Sequence, residues 1–69
     1  MTGSNPQELA YRATDGVEVS LFWSKSCRRL TVVVSDSRSD HSFELTAHPE
    51  NALDVFHHPY AYAALHGII

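Results

Sequence analysis

The sequence predicts a small α+β domain, in which a four-stranded antiparallel meander has one face covered by C-terminal helices. Apolar and polar residues alternate with a period of two through the first two thirds of the chain, which is typical of half-buried strands. Short polar links separate these segments, and short links join antiparallel neighbours. The last third instead places apolar residues at helical spacing after a proline.

Four strands follow from the alternating pattern. We expect them near residues 8–13, 17–23, 29–35 and 41–46, where β-branched and aromatic residues favour a pleated, half-buried surface. The register is predicted by keeping apolar residues on one face. This pairs Trp23 with Leu30 in the second hairpin, and Val34 with Phe43 in the third.

The first hairpin turns at Asp15-Gly16, and two registers compete there. A two-residue turn would pair Arg12 with Val19 and place a charge on the apolar face. A three-residue loop with Gly16 as a bulge avoids this, and we predict it on that ground. It pairs apolar residues throughout: Ala13 with Val17, Tyr11 with Val19, and Leu9 with Leu21.

Two helices are predicted near 49–58 and 59–66. Pro49 suits the first turn of a helix, and Ala52, Leu53 and Phe56 then recur at helical spacing. Pro59 separates the helices because it cannot donate an interior hydrogen bond. Gly67 matches the left-handed residue that ends many helices, and Ile68 supplies the apolar contact after it.

Length and composition favour one domain over residues 8–69, preceded by a flexible leader at 1–7. No run of about 18 apolar residues is present, so we expect no membrane span and a cytoplasmic location. The formal net charge of -3 argues against general nucleic-acid binding, which requires many basic residues. With one cysteine, the domain forms no internal disulfide.

The stretch from Gly16 to Leu65 resembles a group of short uncharacterised actinobacterial proteins. In those proteins a meander like Leu21-Phe22-Trp23 and Leu30-Thr31-Val32-Val33-Val34 precedes a segment like Ala52-Leu53-Asp54-Val55-Phe56-His57-His58-Pro59-Tyr60-Ala61-Tyr62-Ala63. The resemblance implies a bacterial cytosolic protein and brings no functional residues.

Five histidines in 69 residues raise the question of a metal site. Asp54 and His58 lie four residues apart on a predicted helix, a spacing that places two ligands on one face. His57 and His66 complete a candidate set for zinc or another divalent ion. The competing interpretation is that His57 and His58 cap the end of the first helix.

Nothing in the sequence indicates an enzyme, because it has no phosphate-binding glycine loop, nucleophile elbow or paired-carboxylate motif. Cys27 lies in a loop with Lys25, Arg28 and Arg29, where cations favour a thiolate. A hairpin loop gives such a thiol little enclosure. The loop is therefore interpreted as a solvated turn, with a phosphate or acidic contact as the alternative.

Two features predict association with a protein partner or a second copy. The register places Phe22 and Val33 on the otherwise polar second face of the sheet, and an uncovered apolar patch can mark an interface. Tyr60, Tyr62 and Ile68 form an aromatic and apolar tail, which either completes the core or docks on a partner. We expect a non-enzymatic interaction or regulatory module, with a metal- or pH-responsive binding protein as the alternative.

Overall fold

The computed structural model describes residues 7–68, and it contains one four-stranded antiparallel sheet and two short helices. The strands are β1 (Gln7–Thr14), β2 (Val17–Ser24), β3 (Arg29–Asp36) and β4 (His41–Ala47). The helices are α1 (Ala52–His57) and α2 (Pro59–Leu65). The strands lie in the order β1-β2-β3-β4, so the predicted α+β meander is confirmed. The predicted leader falls outside the described residues except for Gln7, which belongs to β1, and Ile69 also lies outside them.

The second and third hairpins have the predicted register. Trp23 lies opposite Leu30 across β2 and β3, and Val34 lies opposite Phe43 across β3 and β4. The helices cover one face of this sheet, which we call the inner face. The opposite face carries Phe22 and is called the outer face.

The predicted register of the first hairpin is wrong. Asp15 has φ 53° and Gly16 has φ 83°, as a two-residue type I′ turn requires at both central positions. Thr14 therefore lies opposite Val17, and Arg12 lies opposite Val19 on the inner face. Farther along β1 the pairing shifts at Leu9, between Glu8 and Ala10.

Arg12 is accommodated on the inner face because the C-terminal end of α1 supplies acceptors for its guanidinium. Its Nε and Nη2 atoms donate to the carbonyl oxygen of Phe56 over 3.3 and 2.9 Å, and Nη2 also donates to that of His57 over 3.3 Å. The last carbonyls of a helix have no intrahelical partner, so a cation here satisfies them. The guanidinium carbon also lies 5.4 Å from the centre of the Phe56 ring.

The core lies between the inner face and the two helices, and Val19, Val32, Val34 and Val55 are its largest completely buried side chains. The core residues are all aliphatic or aromatic: Val19, Leu21, Val32, Val34, Leu45, Ala47, Ala52, Val55, Phe56 and Ala63. Leu53, expected on the buried face of the first helix, is instead 65% exposed.

The first helix is shorter than predicted, because Pro49 and Glu50 form a turn before it. The backbone N–H of Asn51 donates to the carbonyl of His48 over 2.9 Å, which closes that turn. The Asn51 side chain accepts from the backbone N–H of His48 over 2.9 Å. Pro49 thus occupies the second position of a turn, which its fixed φ also suits.

The end of α2 follows the prediction. Gly67 has φ 73°, and its N–H donates to the carbonyl of Ala64 over 3.2 Å. The N–H of Ile68 donates to the carbonyl of Ala63 over 2.8 Å, which completes a Schellman motif. Both helices in residues 7–68 are too short to cross a membrane.

Candidate interaction surface

The one buried charged side chain among the described residues, Asp36, ties α2 to the sheet. Its carboxylate accepts from the Arg38 backbone N–H over 2.9 Å and from Nε and Nη2 of the Arg38 guanidinium over 3.2 Å each. The Tyr60 hydroxyl donates to the same carboxylate over 2.9 Å, and its ring meets Phe43 edge-on at 5.5 Å.

These contacts set the charge states of the cluster. The hydrogen bonds from the Arg38 side chain, aided by that from Tyr60 and opposed by burial, hold the pKa of Asp36 far below its usual range. Burial and then the hydrogen bond to Asp36 raise the pKa of Tyr60. A buried carboxylate that accepts four hydrogen bonds has its hydrogen-bonding capacity satisfied. The cluster therefore acts as a structural tie.

The predicted metal ligands are not assembled into a site. Asp54 accepts a hydrogen bond from the hydroxyl of Tyr62, which links α1 to α2 and raises the pKa of Tyr62. His57 packs edge-on against the Phe56 ring, and His58 is the single residue between the helices. In the part of the chain that the structure describes, no three His, Cys, Asp or Glu side chains are grouped to hold a metal ion.

Cys27 is exposed in the loop between β2 and β3. Hydrogen bonds with the side chains of Ser24 and then Ser26 lower the pKa of its thiol, and the charge of Arg29 adds a smaller contribution. The cations that motivated the thiolate hypothesis are therefore secondary to the neighbouring serines.

The residues predicted to bind a partner lie on two different sides of the molecule. Phe22 and Val33 are on the outer face, while Tyr60, Tyr62 and Ile68 belong to the α2 side. The hydroxyls of both tyrosines are engaged with carboxylates in the fold. Ile68 is 44% exposed beside a groove of about 490 Å³ that Phe43 and Tyr60 also line.

The outer face carries the second apolar surface. A shallow groove of about 280 Å³ runs across its centre, lined by Phe22, Thr31 and Val33 in the middle and by Ser24 and Glu44 at its margins. Phe22 lies opposite Thr31, and Val33 lies opposite Ser20, so both lie on the face that the sequence predicts for them. We call this set of five lining residues the outer groove.

Sequence reasoning missed how Tyr11 extends this face. The true register of β1 places Tyr11 opposite Ser20, where it is 52% exposed. Its partial burial, and then the charge and hydrogen bond of Glu18, raise the pKa of its hydroxyl, with a further contribution from the charge of Glu8. Two glutamates thus flank an aromatic ring beside the outer groove. The dipeptide Asp15-Gly16 favours a two-residue type I′ turn, and that turn sets the register that places Tyr11 on this face.

Comparison of the chain with protein-family models, with curated protein sequences and with solved structures finds no match. The resemblance to short actinobacterial proteins stays a prediction.

Proposed function

We propose that this chain is a non-enzymatic protein-interaction module that binds its partner through the outer face of the sheet. The observation that carries the proposal is the outer groove, where Phe22 and Val33 lie diagonally adjacent on a face that neither α1 nor α2 covers. An apolar centre with a polar margin is the usual anatomy of a protein interface. The resemblance to short actinobacterial proteins supports the bacterial cytoplasm as the setting of this proposal.

The rest of the fold supports this choice of face. The inner face is filled by α1 and α2, whose buried residues join the core. The α2 side has its tyrosine hydroxyls engaged with Asp36 and Asp54, which favours a role in completing the fold. A partner on the outer face would therefore leave the core and both carboxylate ties in place.

A charged residue in the outer groove tests the proposal. We expect Phe22→Lys to abolish partner capture from an extract of the source organism, because a lysine ammonium would be buried at the centre of the contact. Leu53→Lys is the matched control, since Leu53 is exposed on α1 away from the outer face. Circular dichroism and thermal melting are used to check that both variants are folded.

Any captured protein is then purified and its binding to the three forms measured by calorimetry. Binding that Phe22→Lys weakens by about 100-fold and Leu53→Lys leaves within about three-fold supports the proposal. Equal binding by all three folded proteins, or equal loss in both variants, would remove the outer face as the binding surface.

A further inference from the structure

The outer face has an ordered pattern of charge along the strands. Strand pairing places its side chains in four rows that run across the sheet. Glu18 lies in the row at one end, and Arg29 lies in the row at the other end, beside Ser24. Val33 and Phe22 occupy the two middle rows. The face thus carries an acidic residue at one end and a basic residue at the other. Phe22 and Val33 lie at its centre, and the edge strands add Glu44 and Glu8 to the two middle rows.

From this pattern we infer that the occupant of the outer face is a second copy of the chain, packed face to face with its strands antiparallel. The inference rests on the proposed function and names its partner. The two copies are related by a two-fold axis that lies in the plane of the interface. The axis runs perpendicular to the strands, between the two middle rows, so the row at one end of each copy lies over the row at the opposite end of its partner. Glu18 of each copy then approaches Arg29 of the other, and Phe22 of each copy approaches Val33 of the other.

Charge complementarity favours this orientation. Sheets that pack face to face lie about 10 Å apart, a gap that arginine and glutamate side chains can bridge. The same operation sets Glu44 of one copy over Thr46 of the other, because these residues occupy the two middle rows of β4. It likewise sets Glu8 of one copy over Tyr11 of the other, so no glutamate lies directly over a glutamate, although the chain carries a net charge of -3.

The size of the face predicts a weak dimer. Four strands of seven or eight residues cover about 27 by 19 Å, given a rise of about 3.4 Å per residue and a strand spacing of about 4.8 Å. The two copies together would bury roughly 1,000 Å², which is below the range of stable interfaces and within that of weak, transient ones. We therefore expect a dimer weak enough to dissociate on dilution through the micromolar concentration range.

Charge-swap variants test this arrangement by sedimentation velocity between about 5 and 500 µM. Arg29→Glu alone brings two glutamates together at each end of the interface, and Glu18→Arg alone brings two arginines together. Each variant is expected to weaken dimerisation by about ten-fold or more. An equimolar mixture of the two restores opposite charges at both ends, so it should form a mixed dimer within about three-fold of the natural affinity.

Lys25→Glu is the control for net charge, because Lys25 lies in the adjoining loop and carries the same charge as Arg29. It should change the dimerisation constant by less than about three-fold. A second measurement follows amide chemical shifts on dilution, and the shifting residues should be confined to the outer face.

Three results would overturn the inference: a monomer at all concentrations, a mixture that stays monomeric, or dilution shifts on the α2 side. A monomer that still captures another protein through Phe22 would overturn the second-copy occupant and leave the proposed function intact. Loss of that capture in Leu53→Lys as well would instead count against the proposed function.

Discussion

At the scale of single residues, Arg12 shows how a charge can belong to the apolar side of a small domain. The predicted register keeps the guanidinium off the inner face, where the neighbouring sequence offers it no partner. The partners are backbone carbonyls of Phe56 and His57, 44 and 45 residues farther along the chain. No local pattern contains that pairing, because it exists only after α1 has packed across the sheet.

Arg12→Met tests this role. Methionine keeps the aliphatic stem but leaves the Phe56 carbonyl without its donor, so we expect the free energy of unfolding to fall by about 1–3 kcal/mol. Urea denaturation followed by tryptophan fluorescence measures the change. Lys25→Met in an exposed loop is the control and should stay within about 0.5 kcal/mol. A loss no larger than that of the control would mean that the Arg12 hydrogen bonds are not stabilising.

At the scale of elements, the sequence predicts two of the hairpins and the end of α2, each of which depends on residues close together in the chain. The hairpins at 25–28 and 37–40 follow from the alternation of apolar residues, and the end of α2 follows from Gly67. The start of α1 is not predicted correctly, because Pro49 fits both the second position of a β-turn and the first turn of a helix. The sequence predicts that Phe22 and Val33 share the outer face, but it does not predict Tyr11 there. Tyr11 reaches that face only in the register that places Arg12 on the inner face.

The tie between β3 and α2 predicts how stability depends on pH. The pKa of Asp36 is lower in the folded chain than in the unfolded chain, so its contribution to stability is complete above about pH 4. That contribution is lost as the pH falls from about 4 toward the lower folded value. We therefore expect the melting temperature to drop steadily below about pH 4.

Asp36→Asn isolates this dependence. The variant should melt at a lower temperature than the natural chain at pH 7, because it cannot take the charge that Arg38 and Tyr60 surround. The difference between the two melting temperatures should shrink as the pH falls to 2. Differential scanning calorimetry at several pH values measures it, with Asp40→Asn in the exposed loop as the control. A constant difference across this range would show that the charge of Asp36 contributes nothing to the tie.

At the scale of the whole molecule, stability depends on few large side chains. Ten residues form the buried apolar core, and three of them are alanine. A domain of 69 residues has a free energy of unfolding of roughly 3–10 kcal/mol, so one large core residue is a substantial part of it. Phe56 is the only aromatic residue among the buried core residues described, and it also supports Arg12.

Phe56→Ala should therefore remove a large part of the domain's free energy of unfolding. Truncation of a buried phenylalanine costs about 3–5 kcal/mol, and here it also removes the ring beneath the Arg12 guanidinium. Phe56→Leu keeps most of the volume and should cost less than about 2 kcal/mol, so that variant stays folded. Circular dichroism and urea titration compare the two. A loss for Phe56→Ala no larger than that for Phe56→Leu would contradict this prediction, because it would mean that the Phe56 ring contributes little to the packing of α1 on the sheet.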